Sequence, residues 1–292
     1  MPSTTSNPPD REHLSTRLAE FRAEIDGLDD AIHDLLMARA AVVMRLRAGA
    51  GKGPIALRPG READILRRLL ARHHGDLPGR AVVRVWREVL AGTTIMQGPF
   101  VVSACETGAD SGYVQCAREH FGASTPLKVH RSPSQAIADV RAGAATAAVL
   151  PLPTEEEPSP WWTSLLHQVQ PRIHVVGRLP FWAPRVEGAP GVQALVVGAL
   201  PPDRSSLDRS LFALELPAGQ SRAHLSATLA AAGFADARVL LRRDPPLPEA
   251  RALIDVDGFV TEDDPRLVAL SDALRPPVVL GAYAQPVEGD TA

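Results

Sequence analysis

The stretch LSTRLAEFRAEIDGLDDAIHDLLMARAAVVMRLR, from Leu14 to Arg47, decides how the chain is read. Leu14, Leu18, Phe21, Ile25, Leu28, Ile32 and Leu35 follow one another in alternating steps of four and three. That is a heptad seam on one long helix, held for about three heptads. The next two seam positions are Arg39 and Val42, so a guanidinium stands where the pattern calls for leucine. Arg22 lies one residue off the same seam. Charge set into an apolar stripe is costly without a partner. The seam therefore wants an anion.

Working outward, Gly27 is the single interior glycine of this helix, and Gly49-Ala50-Gly51 supplies its stop. A second helix is predicted over Gly60–His74, with Ile65, Leu66, Leu69 and Leu70 as its apolar face. A third is predicted over Gly79–Gln97, with Val82, Trp86, Val89 and Leu90 apolar. Thr93 and Gln97 continue the face of Trp86 and Leu90, so two hydrogen-bonding groups project from a stripe that should be core. From Phe100 the period changes. Strands at Phe100–Ala104, Leu127–His130 and Ala147–Leu150 alternate with helices at Gly112–Phe121 and Ser132–Ala142, a βαβ pattern. Pro151–Pro160 reads as a surface loop, with further strands at Ile173–Val176 and Ala194–Val197. Leu207 to Tyr283 reads β-α-β-β-α-β, the ferredoxin-like order. The expected organisation is multidomain: a tail over 1–12, an all-α domain over 13–98, an α/β domain over 99–206 and an α+β ferredoxin-like domain over 207–286.

Composition removes several functional classes. Hydrophobic residues at 45% and charged residues at 22% are ordinary for a soluble protein. A net charge of −3 with no basic stripe gives no footprint for nucleic acid. No apolar run approaches the ~20 residues a membrane-spanning helix needs. Met1–Pro9 has neither a basic nor an apolar leader segment and is expected to be a disordered tail, which points to the cytoplasm. Cys105 and Cys116 are too few for a disulfide framework or a metal cage. Gly49–Gly53 around Lys52 superficially suggests a phosphate loop, but no strand precedes it and Gly53 replaces the required hydroxyl residue. No metal and no cofactor is expected.

Seventeen residues separate Arg22 from Arg39, which places them about 25 Å apart along one helix and roughly 100° apart in direction. One small ligand cannot bridge both within one chain. In an antiparallel two-fold dimer, Arg22 of one protomer meets Arg39 of the other, and two equivalent sites form. A pair of guanidinium forks fits a molecule with two carboxylates. Glu62, Thr93 and Gln97 supply a carboxylate, a hydroxyl and an amide to the same interior. The set lacks an activated nucleophile, and it suits a reaction that needs positioning and electrostatic help. Taken singly, Arg39 also reads as a specificity device in a coiled coil, and Thr93 and Gln97 as satisfied core polar residues.

The pattern Leu18-Ala-Glu-Phe-Arg22-(x2)-Ile25-Asp26-(x)-Leu28-Asp29, then Leu35-Leu-Met-Ala-Arg39, Arg58-Pro-Gly-Arg61-Glu62 and Thr93-(x3)-Gln97 resembles the all-helical chorismate mutases. The resemblance spans residues 14–97. It implies a homodimer of intertwined three-helix protomers that converts chorismate to prephenate by a Claisen rearrangement. By that resemblance Arg39, with the second chain's Arg22, holds the substrate carboxylates. Glu62 takes the ring hydroxyl, Gln97 the ether oxygen and Thr93 a carboxylate, while Arg58 and Arg61 line the loop side. At the Arg58 position the family pattern sometimes has an aspartate.

Residues 100–285 resemble a worn prephenate dehydratase region followed by an ACT domain, through His120-Phe-Gly122, Val140-Arg-Ala-Gly143 and Leu280-Gly-Ala-Tyr283. The Thr-Arg-Phe motif of dehydratases falls on Val192-Gln193-Ala194, and a valine has no proton to donate to a leaving hydroxyl. Dehydratase activity is therefore not expected, although a bifunctional mutase–dehydratase and a non-catalytic binding protein are the alternatives. The second alternative rests on Ala50, which stands where the mutase family places a catalytic lysine. Losing one such donor costs about 2.7–4 kcal/mol, or ~10²–10³ in rate. Lys52 replaces it if the helix ends at Gly49 and the glycine loop turns the ammonium inward. The Lys52→Ala variant is then expected to lose turnover by a factor of about 10², and an unchanged turnover number would remove Lys52 from the site.

Overall fold

Pro8 and Pro9 lie in the stretch expected to be a tail, yet α1 begins there and runs over Pro8–Gly49. A helix leaves its first N–H groups unpaired, so prolines without that group start a helix instead of blocking it. The structure is a computed structural model. It describes residues 8–49, 57–107, 112–157, 160–183, 185, 187–217, 219–243, 249–270 and 274–289. The chain divides into two units, Met1–Pro54 and Ile55–Ala292. The first holds α1, whose 42 residues span about 63 Å. Its seam is bare: Phe21 is 53% exposed, Leu28 58% and Leu35 71%.

The second unit starts with α2 (Pro59–Ala71) and α3 (Gly79–Ile95). These helices are joined to the remainder by an anchor far away in sequence. Arg58, at the N-cap position, makes no side-chain cap. Asp203 does that work instead: its carboxylate accepts from Gly60 N at 3.0 Å, from Arg61 N at 3.1 Å and from Arg58 Nε at 3.1 Å. An anion at a helix N-terminus is well placed. A Cβ on Gly60 would sit 2.5 Å from the Asp203 carbonyl oxygen, so only glycine allows this approach. About two turns on, the Arg67 guanidinium donates to Ser205, Ser206 and the carbonyls of Leu207 and Gln285.

The remainder is a continuous sheet with helices packed on it. In chain order come β1 (Val102–Cys105), α4 (Gly112–Phe121), β2 (Leu127–His130), α5 (Pro133–Arg141), β3 (Ala147–Pro151), a 3₁₀ helix at Trp161–His167, β4 (His174–Leu179), β5 (Trp182–Ala183) and β6 (Ala194–Gly198). Then follow β7 (Asp208–Leu216), α6 (Arg222–Ala231), β8 (Arg238–Arg243), β9 (Ala250–Asp257), α7 (Pro265–Val268), β10 (Val278–Ala284) and β11 (Val287–Glu288). The strand order is β2-β1-β3-β6-β4-β10-β7-β9-β8, with β5 and β11 forming a separate pair. β2, β1 and β3 are parallel, as their βαβ connections require. β6 and β4 continue antiparallel. The last four strands pair antiparallel in the order fourth, first, third, second, which is the ferredoxin-like arrangement.

The two sheet halves are joined along β4 and β10, where Gly281 of β10 pairs with Val175 of β4. A Cβ on Gly281 would lie 2.1 Å from the Val175 carbonyl oxygen, and its φ of +143° belongs to glycine. A single core crosses this seam: Leu150, Val175 and Leu195 from one half pack with Leu211, Leu280 and Tyr283 from the other. The borders expected at 98/99 and 206/207 both fall inside this second unit. Gly281→Val is expected to lower the thermal midpoint strongly, since the strained backbone alone costs about 1–3 kcal/mol before the clash. A midpoint within a degree or so of wild type in a thermal melt would show that the junction is not constrained there.

Candidate active site

Arg22 is exposed and Arg39 half-buried on α1, in the first unit. Arg58, Arg61, Glu62, Thr93 and Gln97 belong to the second. Lys52 and Ala50 lie outside the described residues. Glu62 sits in the first turn of α2, where a carboxylate suits the helix dipole. Its Oε2 accepts a hydrogen bond from Arg87 Nη1 at 3.0 Å, and the arginine side chain is only 4% exposed. Burial pulls the Arg87 pKa down to about 10, with the Glu62 charge working the other way. The guanidinium remains charged at neutral pH. It also stacks 4.6 Å from the centre of the Phe181 ring. Breaking such a buried pair from one side typically costs ~3–5 kcal/mol.

Thr93 in the last turn of α3 and Gln97 in the turn just past its end are the two neutral candidates. Thr93 Oγ1 donates into its own helix, toward Val89 O at 2.9 Å and Leu90 O at 3.0 Å. Gln97 Nε2 donates to Thr93 O at 3.1 Å. The two side chains therefore sit one turn apart on one helix face, each anchored to the backbone beneath it. Arg61 is exposed, and its backbone N–H serves Asp203. The Arg58 side chain is 61% exposed and is paired with Asp203.

Two residues that hold this region escape a reading of the sequence. Arg87 is one step off the apolar face of α3, where an arginine reads as a solvated group. Asp203 lies 143 residues from the helix N-terminus that it caps. No local spacing points to either.

Elsewhere, Ser103, His130 and Asp139 come together, but not as a hydrolytic triad. Ser103 Oγ (2.9 Å) and His130 Nε2 (2.8 Å) both bond the same Asp139 oxygen, so the histidine does not stand between hydroxyl and carboxylate. Burial pushes the Cys105 thiol up to about 11 and the Cys116 thiol up to about 12, which keeps both protonated. Among the described residues no cluster of His, Cys, Asp and Glu is arranged to hold a metal ion. Among them, too, no helix is long and apolar enough to cross a membrane.

Residues 21–98 match the family described as chorismate mutase type II. A chorismate mutase type II domain thus occupies the N-terminal helical part, and Arg22, Arg39, Glu62, Thr93 and Gln97 all fall inside it. Two curated relatives are each described as a bifunctional chorismate mutase/prephenate dehydratase. The one from Pseudomonas aeruginosa is 29% identical over 151 residues, covering 48% of this chain and 40% of the relative. The one from Stutzerimonas stutzeri is 28% identical over 148 residues, with the same coverage. The matched region thus spans about two fifths of these relatives' length. Among solved structures, prephenate dehydratase from Arthrobacter aurescens in complex with L-Phe aligns over 65% of this chain and 93% of its own, at 16% identity and a TM-score of 0.44. A protein described as GqqA, a novel type of quorum quenching acylase, aligns over 64% and 96%, at 18% identity and a TM-score of 0.43.

Next to Arg87, the His120 ring is enclosed, and burial first, then the Arg87 charge, holds its pKa well below the usual 6.5. The unfolded chain therefore takes up this proton before the folded one. Stability present above pH 6.5 is lost as the pH falls below it, by up to ~1.36 kcal/mol per pH unit. His174, lowered by burial and by Arg172, adds to the same window. His120→Gln is expected to flatten the fall in thermal midpoint between about pH 7 and 5, leaving the His174 part; an unchanged slope would mean that the ring protonates freely in the native state.

Proposed function

We propose that this protein is a chorismate mutase, active as a homodimer paired through α1, and that it rearranges chorismate to prephenate in the cytoplasm as a step of aromatic amino-acid biosynthesis. The observation that carries the reading is the family match over residues 21–98, a span that includes the candidates Arg22, Arg39, Glu62, Thr93 and Gln97. The bare seam of α1 supports the pairing, because each buried leucine-sized side chain contributes about 1.5–3 kcal/mol that water denies.

In this reading Arg39 and the Arg22 from the second copy grip the two carboxylates and hold the substrate with its reacting carbons in contact. Glu62 accepts the ring hydroxyl, and its ion pair with Arg87 holds the carboxylate in place for that role. Gln97 uses one amide hydrogen on Thr93 O and has a second to offer the ether oxygen as charge develops there. Thr93 adds a hydroxyl to one carboxylate by turning its single proton away from Val89 O and Leu90 O. Arg61 lines the loop side. Arg58, held by Asp203, contributes only its charge. Lys52 takes the part of the missing lysine. No cofactor is required, because a pericyclic step moves electrons within one molecule.

The chain as we read it does not dehydrate prephenate. Val192 offers no proton, and its side chain is packed where a Cβ on Gly112 would come within 2.8 Å of it. The ferredoxin-like module is ACT-like, and its sequences Pro217-Ala-Gly-Gln-Ser221 and Leu241-Arg-Arg-Asp-Pro245 depart enough from the family's effector-binding motifs that we propose no phenylalanine control. Ala50 favours a second reading, a binding protein without turnover on the same scaffold.

Loss of chorismate in a continuous assay separates the readings. The mutase reading predicts turnover that falls by about 10² or more in Arg39→Ala; chorismate that binds without being consumed would establish the binding protein. Conversion of added prephenate to phenylpyruvate by the same preparation would restore the dehydratase.

A further inference from the structure

A cavity of about 310 Å³ lies among α3, α4 and the chain leaving β4, and none of Glu62, Thr93 and Gln97 lines it. Its apolar wall includes Val83, Leu179, Phe181 and Trp182. Arg80, Arg84 and Arg87 contribute from α3 at spacings of four and three, which stacks them on one helix face, and Arg185 comes from the segment after β5. Two of these cations are matched. Arg87 pairs with Glu62, and Arg185 makes a bidentate pair with Glu119 at 2.7 and 3.1 Å. Arg80 and Arg84 have no carboxylate partner among the described residues. Like charges at this spacing repel, so the face is at its most favourable with an anion on it.

Two buried atoms point the same way. His120 Nδ1 and Arg185 Nε are shielded from solvent and have no hydrogen-bond partner among the described residues, and both residues line the cavity. A buried polar atom left unmade costs about 1–3 kcal/mol, and a native structure usually has a reason for it. A ligand that brought a carboxylate to the cations and an apolar ring to the wall would answer every one of these features. The volume is at the lower end for organic ligands, which suits a single ring with a short acidic arm.

We propose that this cavity is a binding site for a small aryl carboxylate, separate from the mutase pocket. The neutral His120 imidazole and the Arg185 Nε–H face the ligand, and Arg80 and Arg84 hold its carboxylate from the rim. Arg87 touches both places, since it lines the cavity and bonds Glu62.

Calorimetric titration of the full chain with phenylacetate tests this without reference to turnover, so a failure of the mutase reading leaves it intact and the reverse holds too. Phenylacetate is expected to bind in the submillimolar range. Benzyl alcohol, which keeps the ring, and inorganic phosphate, which keeps only the charge, are expected to bind at least about tenfold more weakly. The Arg80→Ala/Arg84→Ala double variant changes two exposed side chains and is expected to fold as wild type while losing about tenfold in phenylacetate affinity; Arg80→Lys/Arg84→Lys recovers most of it. No heat of binding up to about 10 mM phenylacetate would overturn the proposal. So would equal binding of phosphate, or a double variant that binds phenylacetate as tightly as wild type.

Discussion

A helix about 63 Å long that carries leucine, isoleucine and phenylalanine at seven successive seam positions, Leu14 to Leu35, presents an apolar stripe that is better covered than left in water. Phe21, Ile25, Leu28, Ile32 and Leu35 are each more than half exposed within the single chain, and covering them is worth several kcal/mol. Arg39 interrupts the stripe where leucine is expected. In the proposed dimer a second copy of the same helix, laid antiparallel, would bury the leucines and bring a basic group from each chain to a shared anion. Most of what is proposed for the chemistry follows from that constraint.

The other helices of the mutase segment are held differently. α2 is capped by a carboxylate from the linker before β7, and Arg67 ties the same helix to the chain on both sides of the ferredoxin-like module. Glu62 in turn is steadied by Arg87, which stacks on Phe181 from beyond β4. The carboxylate proposed to meet the substrate thus depends on residues well outside the 78-residue matched segment, which ends at residue 98. The C-terminal module therefore has a structural part in holding the proposed mutase site.

Much of this architecture is legible in the sequence, and the exceptions share a cause. Period alone places α1, and Gly112–Phe121 and Leu127–His130 come out with the bounds they have in the structure. The alternation over Leu207–Tyr283 yields the right ferredoxin-like order. What stays hidden is long-range. One glycine against one carbonyl, Gly281 on Val175, fuses two expected domains into a single sheet, and no local pattern announces a contact of that kind. Asp203 as a cap and Arg87 as a buried partner are invisible for the same reason. Trp161–His167 went unread because a short 3₁₀ helix lacks a seam long enough to detect. Of the candidate mutase residues, Arg22, Arg39, Glu62 and Thr93 lie on helices whose faces the periodicity makes readable, whereas Lys52 lies outside the described residues.

The central claim is that each site is shared between two chains, and mixing two inactive variants tests it most directly. Arg22→Ala and Arg39→Ala, each assayed alone, lack one guanidinium in every site. In a dimer formed from one copy of each, one site has lost both arginines and the other has regained both. Unfolding the two together and refolding them should therefore restore up to about a quarter of the wild-type mutase activity, the share expected for random pairing in a two-fold dimer. No recovery from a mixture shown by native mass spectrometry to contain the mixed dimer would contradict the account.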